Sequence, residues 1–594
     1  MRTFNRWIIT WLAVIAFLAP LKFGTPVVNQ SAMVPPQDLV EWVYMSWPNQ
    51  IAIILVFATL LWLVLDSDRL AARVDWLFVL PLVFLATQVA ALPGSINRQA
   101  SSDTVMHFAA CVLLFYAAAW YARDGATAWR IFGGLGLATF LVIVLALEQH
   151  FGGLQETREF AAAYVDPSSV PPDLFARMTS NRVFGPLVYP NALAGYLVVA
   201  FAPTLAWIWA RSRNWDSRVK WVTLMFVAGV MIYCLLLTGS RGGFAAFGIM
   251  VLVGFVCLLA RRSLIKWAIP AIIVVLLGVF FASKSHGLIS IGTTSLEARL
   301  DYWRGAAAIA RDHLWLGTGP GTFGSIYPNY KTALSEEAQL AHNNFLQMWS
   351  DSGVAAFAAF ALLWLVALKD GFRLARHRQG DAAAIAVCAA TAGWIVHGLV
   401  DFDLYVPGVA MPAFLLLGIL QGLKDLPKVG PVVPRGQTKR PVSFLCAVVV
   451  AVVAWMQGRD LLAAFIHART HELQASNPVA ALSEAKRSIE LAPQNSRYYA
   501  VAGDLSAQLR RFDEAIEYYC GAIANDPHRA SYHWRLARVE LAGHGLTDRA
   551  LEELRKAASL NPTKRLYRDE LASAEESVRQ STHGLLQSVP TEDQ

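Results

Sequence analysis

Charge is what this sequence has little of. Only 16% of its 594 residues are Asp, Glu, Lys or Arg, where soluble domains carry roughly 25%. A soluble chain of this length divides into several domains, each needing its own polar surface, and the composition excludes that. Cysteine is scarce too. Cys111, Cys234, Cys257, Cys388 and Cys446 lie inside apolar runs and Cys520 stands alone near the C-terminus, so there is neither a disulfide framework nor a CxxC metal pattern. No basic stripe marks a soluble stretch, which excludes nucleic acid as a partner. The apolar runs also lack the rows of charge that an ion path or a transporter needs. His107 is the clearest isolated ionisable group within a run, and we read it as a neutral histidine bonded to a neighbouring helix.

What is present is apolar length. A span takes about 20 mostly apolar residues, with a range of about 17–25. Thirteen runs qualify, near 7–23, 49–65, 76–93, 104–121, 129–147, 192–210, 221–238, 243–260, 265–283, 353–369, 382–400, 407–423 and 441–457. Several are at the short end, so the expected count is 12–13. The first run follows Arg2 and Arg6, but no small-x-small cleavage site follows Pro20, so it reads as an uncleaved anchor. The fold class is all-α: a polytopic bundle of transmembrane helices over residues 1–457.

Basic residues orient the bundle. Alternate loops carry Arg69/Arg73, Arg123/Arg130, Arg211/Arg213/Arg218/Lys220, Arg261/Arg262/Lys266, Lys369/Arg373/Arg376/Arg378 and Lys424/Lys428/Arg435/Lys439/Arg440. These belong in the cytoplasm. The formal charge of +7 is thus a topology signal. The long loops, about 148–191 and 284–352, then face the periplasm, as does everything after the last span.

From about 460 the chain becomes charged and helical. Pro493, Pro527 and Pro562 recur near the 34-residue tetratricopeptide period. Tyr499, Ala502, Gly503, Ala515, Tyr519 and Ala522 precede Pro527 at signature positions. Trp534, Ala537, Ala550, Leu554 and Ala557 precede Pro562, and the repeat ending at Pro493 is weaker, with Phe465, Ala481 and Ala485. The expectation is a periplasmic α-solenoid over 460–580, which binds a protein partner and does no chemistry itself, with a flexible tail at 581–594.

Polar residues gather in the periplasmic loops and at their membrane edges. Arg182 and Gly185 precede Tyr189-Pro190-Asn191 at the start of a span. Pro190 and Asn191 suit a helix start, whereas Arg182 has no such structural role in the sequence. Thr238-Gly239-Ser240-Arg241-Gly242-Gly243 is a tight turn that holds a cation at the bilayer edge, where a lipid-linked phosphate lies. An amphipathic helix opens at Glu297, carries Arg299 and Arg304, and ends near His313. Gly319, Gly321 and Gly324 spell G-x-G-x-x-G, but no strand precedes them and Pro320 interrupts them, so they read as a backbone turn. Ala341-His342-Asn343 follows. Imidazole is suited to taking a proton near neutral pH, and arginines hold diphosphate through paired charge-assisted bonds.

Four features occur in order: Arg182-x-x-Gly185 with Pro190-Asn191, then Gly239-Ser240-Arg241-Gly242-Gly243, then Arg299 with Gly317-x-Gly319-x-Gly321-x-Phe323, and then His342-Asn343 with Gly353. Over roughly 180–425 the chain resembles the O-antigen ligase/polymerase family, multi-span glycosyltransferases of the GT-C type. His397 with Asp401-Phe402-Asp403 and Pro407 is similar to members that carry tetratricopeptide tails. The resemblance implies a bacterial inner-membrane enzyme that transfers a glycan from undecaprenyl diphosphate to an acceptor hydroxyl, without a metal or other cofactor. It implies His342 as the catalytic residue that activates the acceptor, and Arg241, Arg299 and Arg182 as the diphosphate contacts. Ser240, Asn191, Arg304, Asn343 and Asp401 are expected in support. Lipid A-core (a ligase), another lipid-linked glycan (a polymerase) and a protein hydroxyl (an O-oligosaccharyltransferase) remain open as acceptors. A noncatalytic anchor whose repeats scaffold an envelope complex is the alternative of another class.

Overall fold

The structure, a computed structural model, describes residues 2–29, 42, 45–61, 74–122, 126–155, 180–258, 290–333, 335–378, 380–424 and 439–587. The span expected near 265–283, most of the loop at 148–191, and the basic residues Arg69, Arg73, Arg123, Arg261, Arg262, Lys266, Lys428 and Arg435 lie outside the described residues.

The described residues are all-α, without strands. In chain order the helices are α1 Arg2–Lys22, α2 Asn49–Phe57, α3 Trp76–Ala91, α4 Arg98–Tyr121, α5 Ala126–Glu148, α6 Pro190–Arg211, α7 Ser217–Leu237, α8 Arg241–Leu258, α9 Ser290–Asp312, α10 Phe323–Ile326, α11 Asn344–His377, α12 Ala382–Gly398, α13 Pro407–Lys424 and α14 Lys439–Gln474. Six more follow: α15 Pro478–Leu491, α16 Ser496–Gln508, α17 Phe512–Asn525, α18 Ala530–His544, α19 Asp548–Leu560 and α20 Arg565–Gln587.

Eight of the described helices are long and apolar enough to cross a membrane. The runs at 76–93 and 382–400 form shorter apolar helices, Trp76–Ala91 and Ala382–Gly398. At 1.5 Å per residue, a 16-residue helix such as α3 rises about 24 Å, short of the roughly 30 Å hydrocarbon layer. Local chemistry sets that length. Asp75 caps α3 by accepting from the Phe78 amide at 3.1 Å, and Pro93 follows close behind its last residue.

The bundle core lies among α4, α6, α12 and α13. α4 packs on α13, α12 on α6 and α8, and α11 on α3. Small residues permit the close van der Waals approach on which helix association in lipid depends, since lipid supplies no hydrophobic drive between helices. A side chain at Gly418 would meet the Phe115 carbonyl at 2.3 Å, and one at Gly195 would meet Asp403 Oδ1 at 2.5 Å.

The two ends of the bundle differ. At one end the starts of α4, α6, α8, α11 and α13 meet the ends of α1, α5, α7 and α12, joined by bonds such as Gly408 N–H to the Phe23 carbonyl at 2.7 Å. At the opposite end Lys424 bonds Asp75 at 2.8 Å and also pairs with Asp370.

α14 runs unbroken for 36 residues, so the domain boundary drawn at 457–460 falls inside a continuous helix. Pro441 sits in its first turn, where proline is tolerated, and Gly458 costs only about 1 kcal/mol. From α15 to α20 each helix packs on the next. Pro493, Pro527 and Pro562 occupy the turns between helices, where a missing N–H does no harm. Ala502, Ala515, Ala522, Ala537, Ala550, Leu554 and Ala557 are fully buried. The absent side chain of Gly503 makes room for the Tyr519 ring, and that of Gly521 for Tyr499. Phe465 instead lies exposed on α14. The tail expected to be flexible from 581 begins within α20, which continues to Gln587, and residues 588–594 lie outside the described residues.

These helices sit at the same end of the bundle as the 290–343 segment. Asn97, capping α4, donates to Asp526 Oδ2 at 3.0 Å, and α19 packs on the turn Tyr327–Asn329.

Candidate functional site

The loop between α12 and α13, residues 399–406, is held from every side. His107 Nε2 donates to the Leu404 carbonyl at 2.9 Å, so its partner is this loop and not the neighbouring helix that the sequence led us to expect. Asn344 Oδ1 accepts from Leu404 N at 3.3 Å, and His397 Nδ1 lies 2.6 Å from Asp403 Oδ2. The Tyr405 hydroxyl donates to Asp351 Oδ2 at 3.0 Å, and its carbonyl accepts from Val27 N at 2.9 Å. A loop fixed in this way can keep a carboxylate buried.

That carboxylate is Asp401, 2% exposed. Its Oδ1 lies 3.6 Å from His342 Nδ1, and its Oδ2 lies 3.6 Å from an Arg299 guanidinium nitrogen. Both are ion-pair distances, longer than hydrogen bonds. Burial works against the charge, yet His342, His397 and Arg299 together hold Asp401 well below the usual carboxylate range. Burial and the adjacent Asp401 charge push Asp403 the other way, against the pull of His397. Three segments distant in sequence thus converge on one carboxylate.

The His342 ring is sandwiched. Tyr302 of α9 stacks on it with centroids 5.5 Å apart and planes at 24°, and Phe402 meets it edge-on at 4.7 Å. Trp303 Nε1 donates to the His342 carbonyl at 3.2 Å. The residue has φ +51°, a left-handed conformation that costs a non-glycine residue energy. Asn343 caps α11 by accepting from Phe345 and Leu346 amides at 3.0 Å, which commits its carboxamide oxygen to the helix start.

Gly353 breaks the α11 geometry with φ +82° and ψ 179°. The glycine loop packs over that break. Thr318 and Gly319 amides donate to the Ser350 and Asp351 carbonyls, and the Gly321 amide donates to Asp351 Oδ2 at 2.8 Å. Gly317, Gly319 and Gly321 take φ of +65°, +113° and +76°, so the first two glycines of G-x-G-x-x-G form a backbone turn, as expected, and Gly324 lies in α10. Asp351 and Gln347, which bonds it at 2.8 Å, were missed by the sequence reading. The available signal was an acid and an amide one helical turn apart, next to a glycine at a span edge.

Arg182 corrects the sequence reading. Its Nε donates to the Thr238 carbonyl and its Nη2 to Asn191 Oδ1, both at 2.7 Å, so it braces the end of α7 against the start of α6 and has a structural role. Ser240 Oγ accepts from the Gly243 amide at 3.2 Å and opens α8. Arg241 is exposed on the first residue of α8. The next residue, Gly242, abuts Val400, with 2.6 Å between its missing Cβ and the valine methyl. That contact places the Arg241 turn against the loop carrying Asp401. Arg304 is not brought to the cluster. It pairs with Asp301 at 3.2 Å and is 77% exposed, because five helical residues rotate it about 140° from Arg299. Among the described residues no group of His, Cys, Asp and Glu could hold a metal ion.

No curated protein matches this chain by similarity. The family described as O-antigen ligase matches residues 226–361, a stretch that includes Arg241, Arg299 and His342 and leaves out Arg182, Asn191 and Asp401. Over that stretch the chain is similar to the O-antigen ligase family, and the eight long apolar helices fit a multi-pass membrane protein.

Proposed function

We propose that this chain transfers a glycan from undecaprenyl diphosphate to an acceptor hydroxyl at the periplasmic face of the bacterial inner membrane. The observation that carries the reading is the meeting of His342 and Arg299 on the buried Asp401 carboxylate. With Nδ1 turned toward Asp401, the His342 Nε2 is the nitrogen left to take a proton from the acceptor. The acceptor oxygen then attacks the anomeric carbon of the donor sugar. The carbon–oxygen bond to diphosphate breaks, and the electron pair leaves with the phosphate oxygen. Arg241 and Arg299 neutralise the charge that develops there. Arg182 acts one step back, by fixing the turn that presents Arg241.

The helices from the end of α14 to α20 are read as tetratricopeptide-like repeats that recruit the acceptor or a partner protein. Their packing at the His342 end favours acceptor choice over a remote scaffolding role. Lipid A-core, a second lipid-linked glycan and a protein hydroxyl are the three acceptor classes of this reading.

The test uses purified protein with a native undecaprenyl-diphosphate glycan, and measures donor binding and transfer separately. His342→Ala is expected to bind donor normally and lose transfer by about 10²–10⁴-fold. Normal transfer by that variant would sink the mechanism, whereas no transfer by the wild type would leave the noncatalytic anchor in its place.

A further inference from the structure

A groove among the described residues lies at the opposite end of the bundle from His342. It has a volume of about 1040 Å³ between α1, α5 and α6, closed on one side by the turn before α12. Its floor is made of glycine. Gly134 lets the Ala13 carbonyl of α1 come within 2.3 Å of where a Cβ would stand, and the Trp207 indole lies over Gly133 and Gly136. Phe17, Val14 and Leu137 give it an apolar wall.

Its mouth is cationic. Arg130, Arg211 and Arg213 line it, and none of the three pairs with a carboxylate among the described residues. The acid that also lines it, Asp381, is engaged elsewhere. It caps α12 through the Ala383 and Ala384 amides and pairs with Arg378 at 3.6 Å. Lys220 adds a fourth cation, its ammonium 3.3 Å from the centroid of the rim residue Trp209. Indoles with basic residues are the anchors of a membrane–water interface. Guanidinium forks suit phosphate oxygens, and a basic cavity between transmembrane helices matches an anionic lipid headgroup.

We propose that this groove is a binding site for an anionic phospholipid, with its phosphate among Arg130, Arg211 and Arg213 and an acyl chain along Phe17, Val14 and Leu137. The site is independent of the transfer reaction, since α6 alone separates Arg211 from Pro190 by about 30 Å at 1.5 Å per residue. A zwitterionic lipid offers the same chains without net charge, and a free phosphate ester offers the charge without chains, so the three are separable.

The experiment follows thermal unfolding of the full-length protein in neutral detergent with added phosphatidylglycerol, phosphatidylcholine or glycerol 3-phosphate. A ligand that binds only the native state raises the midpoint. Phosphatidylglycerol is expected to raise it by several degrees, and the other two by little. In the Arg130→Gln/Arg213→Gln variant most of that gain should vanish while the lipid-free midpoint stays put. Arg211 at the end of α6 and Arg218 and Lys220 at the start of α7 remain to keep the topology of this variant. Single variants Arg130→Gln and Arg213→Gln, read by native mass spectrometry for retained phosphatidylglycerol, serve if the double variant does not insert. An equal gain with phosphatidylcholine, an equal gain with glycerol 3-phosphate, or full retention of phosphatidylglycerol by the arginine variants would each overturn the proposal.

Discussion

His342 Nδ1 and Asp401 Oδ1 lie 3.6 Å apart, the histidine on the segment before α11 and the aspartate 59 residues later in the loop after α12. The aspartate is buried and the histidine is 22% exposed, so the pair has an inner anchor and an outer working group. A buried carboxylate behind an imidazole fixes its orientation and supports its basicity.

If Asp401 works through His342, their losses will not add. Asp401→Asn is expected to lower transfer by at least about 10-fold, with donor binding retained. The double variant should be no worse than His342→Ala alone. Multiplied losses in the double variant would show that the two residues act separately.

The Asp401 charge also gives a stability signature. Its carboxyl is held below its unfolded value of about 3.9, so its contribution is complete above that pH and lost as pH falls through the folded value. Breaking a buried charge pair by removing one partner costs about 3–5 kcal/mol. The wild type should therefore unfold at a higher temperature than Asp401→Asn at pH 5 and above. That margin should narrow below pH 4. A margin that widened on acidification would contradict the sign.

Arg182 and Arg241 are expected to separate by assay. Arg182→Ala removes two hydrogen bonds that join α6 to α7, worth about 1.5–3 kcal/mol each for a charged donor, and should lower the unfolding temperature. Arg241→Ala should weaken donor binding, with Lys rescuing only in part. Unchanged donor affinity in Arg241→Ala would remove that residue from the diphosphate site.

Glycine substitutions test the lock between the glycine loop and α11. A Cβ on Gly353 would stand 2.0 Å from the Trp315 carbonyl oxygen, and one on Gly317 would stand 2.2 Å from the Asp351 carbonyl carbon. Left-handed backbone adds about 1–3 kcal/mol of strain at each. Gly353→Ala and Gly317→Ala should reduce folded yield sharply, while Gly94→Ala, with nothing within 4 Å, should match the wild type. Size-exclusion profiles of detergent extracts decide the matter.

The repeats and His342 share one end of the bundle, so a reporter on one reports on both. Alkaline phosphatase fused after Gln587 is expected to be active, because the basic loops point the other way. Strong activity from a cytoplasmic reporter at that position would invert the topology and move the candidate site to the cytoplasm.

What the sequence by itself determined was whatever local chemistry dictates. The apolar runs among the described residues became helices, because in lipid each backbone amide must be satisfied within its own segment. Gly319, Gly321 and Gly324 read as a turn, and the first two take dihedrals that few other residues accept. The prolines near 493, 527 and 562 marked helix ends for a reason equally local. The candidate chemistry was only half legible. His342, Arg241 and Arg299 stand in recognisable motifs, but Asp401 meets His342 and Arg299 only after α9, α11 and the α12–α13 loop have packed. Arg182 lacked a structural role in the sequence because its partners, Thr238 and Asn191, lie 56 and 9 residues away. Arg304 seemed a companion of Arg299 until helical rotation turned it outward to Asp301. Asp351 offered only its spacing from Gln347 on α11, since its other partners, Gly321 and Tyr405, come from separate loops. A periodic pattern is written along the chain, whereas the desolvation and charge at one carboxylate depend on which distant groups surround it, and only the tertiary structure decided that.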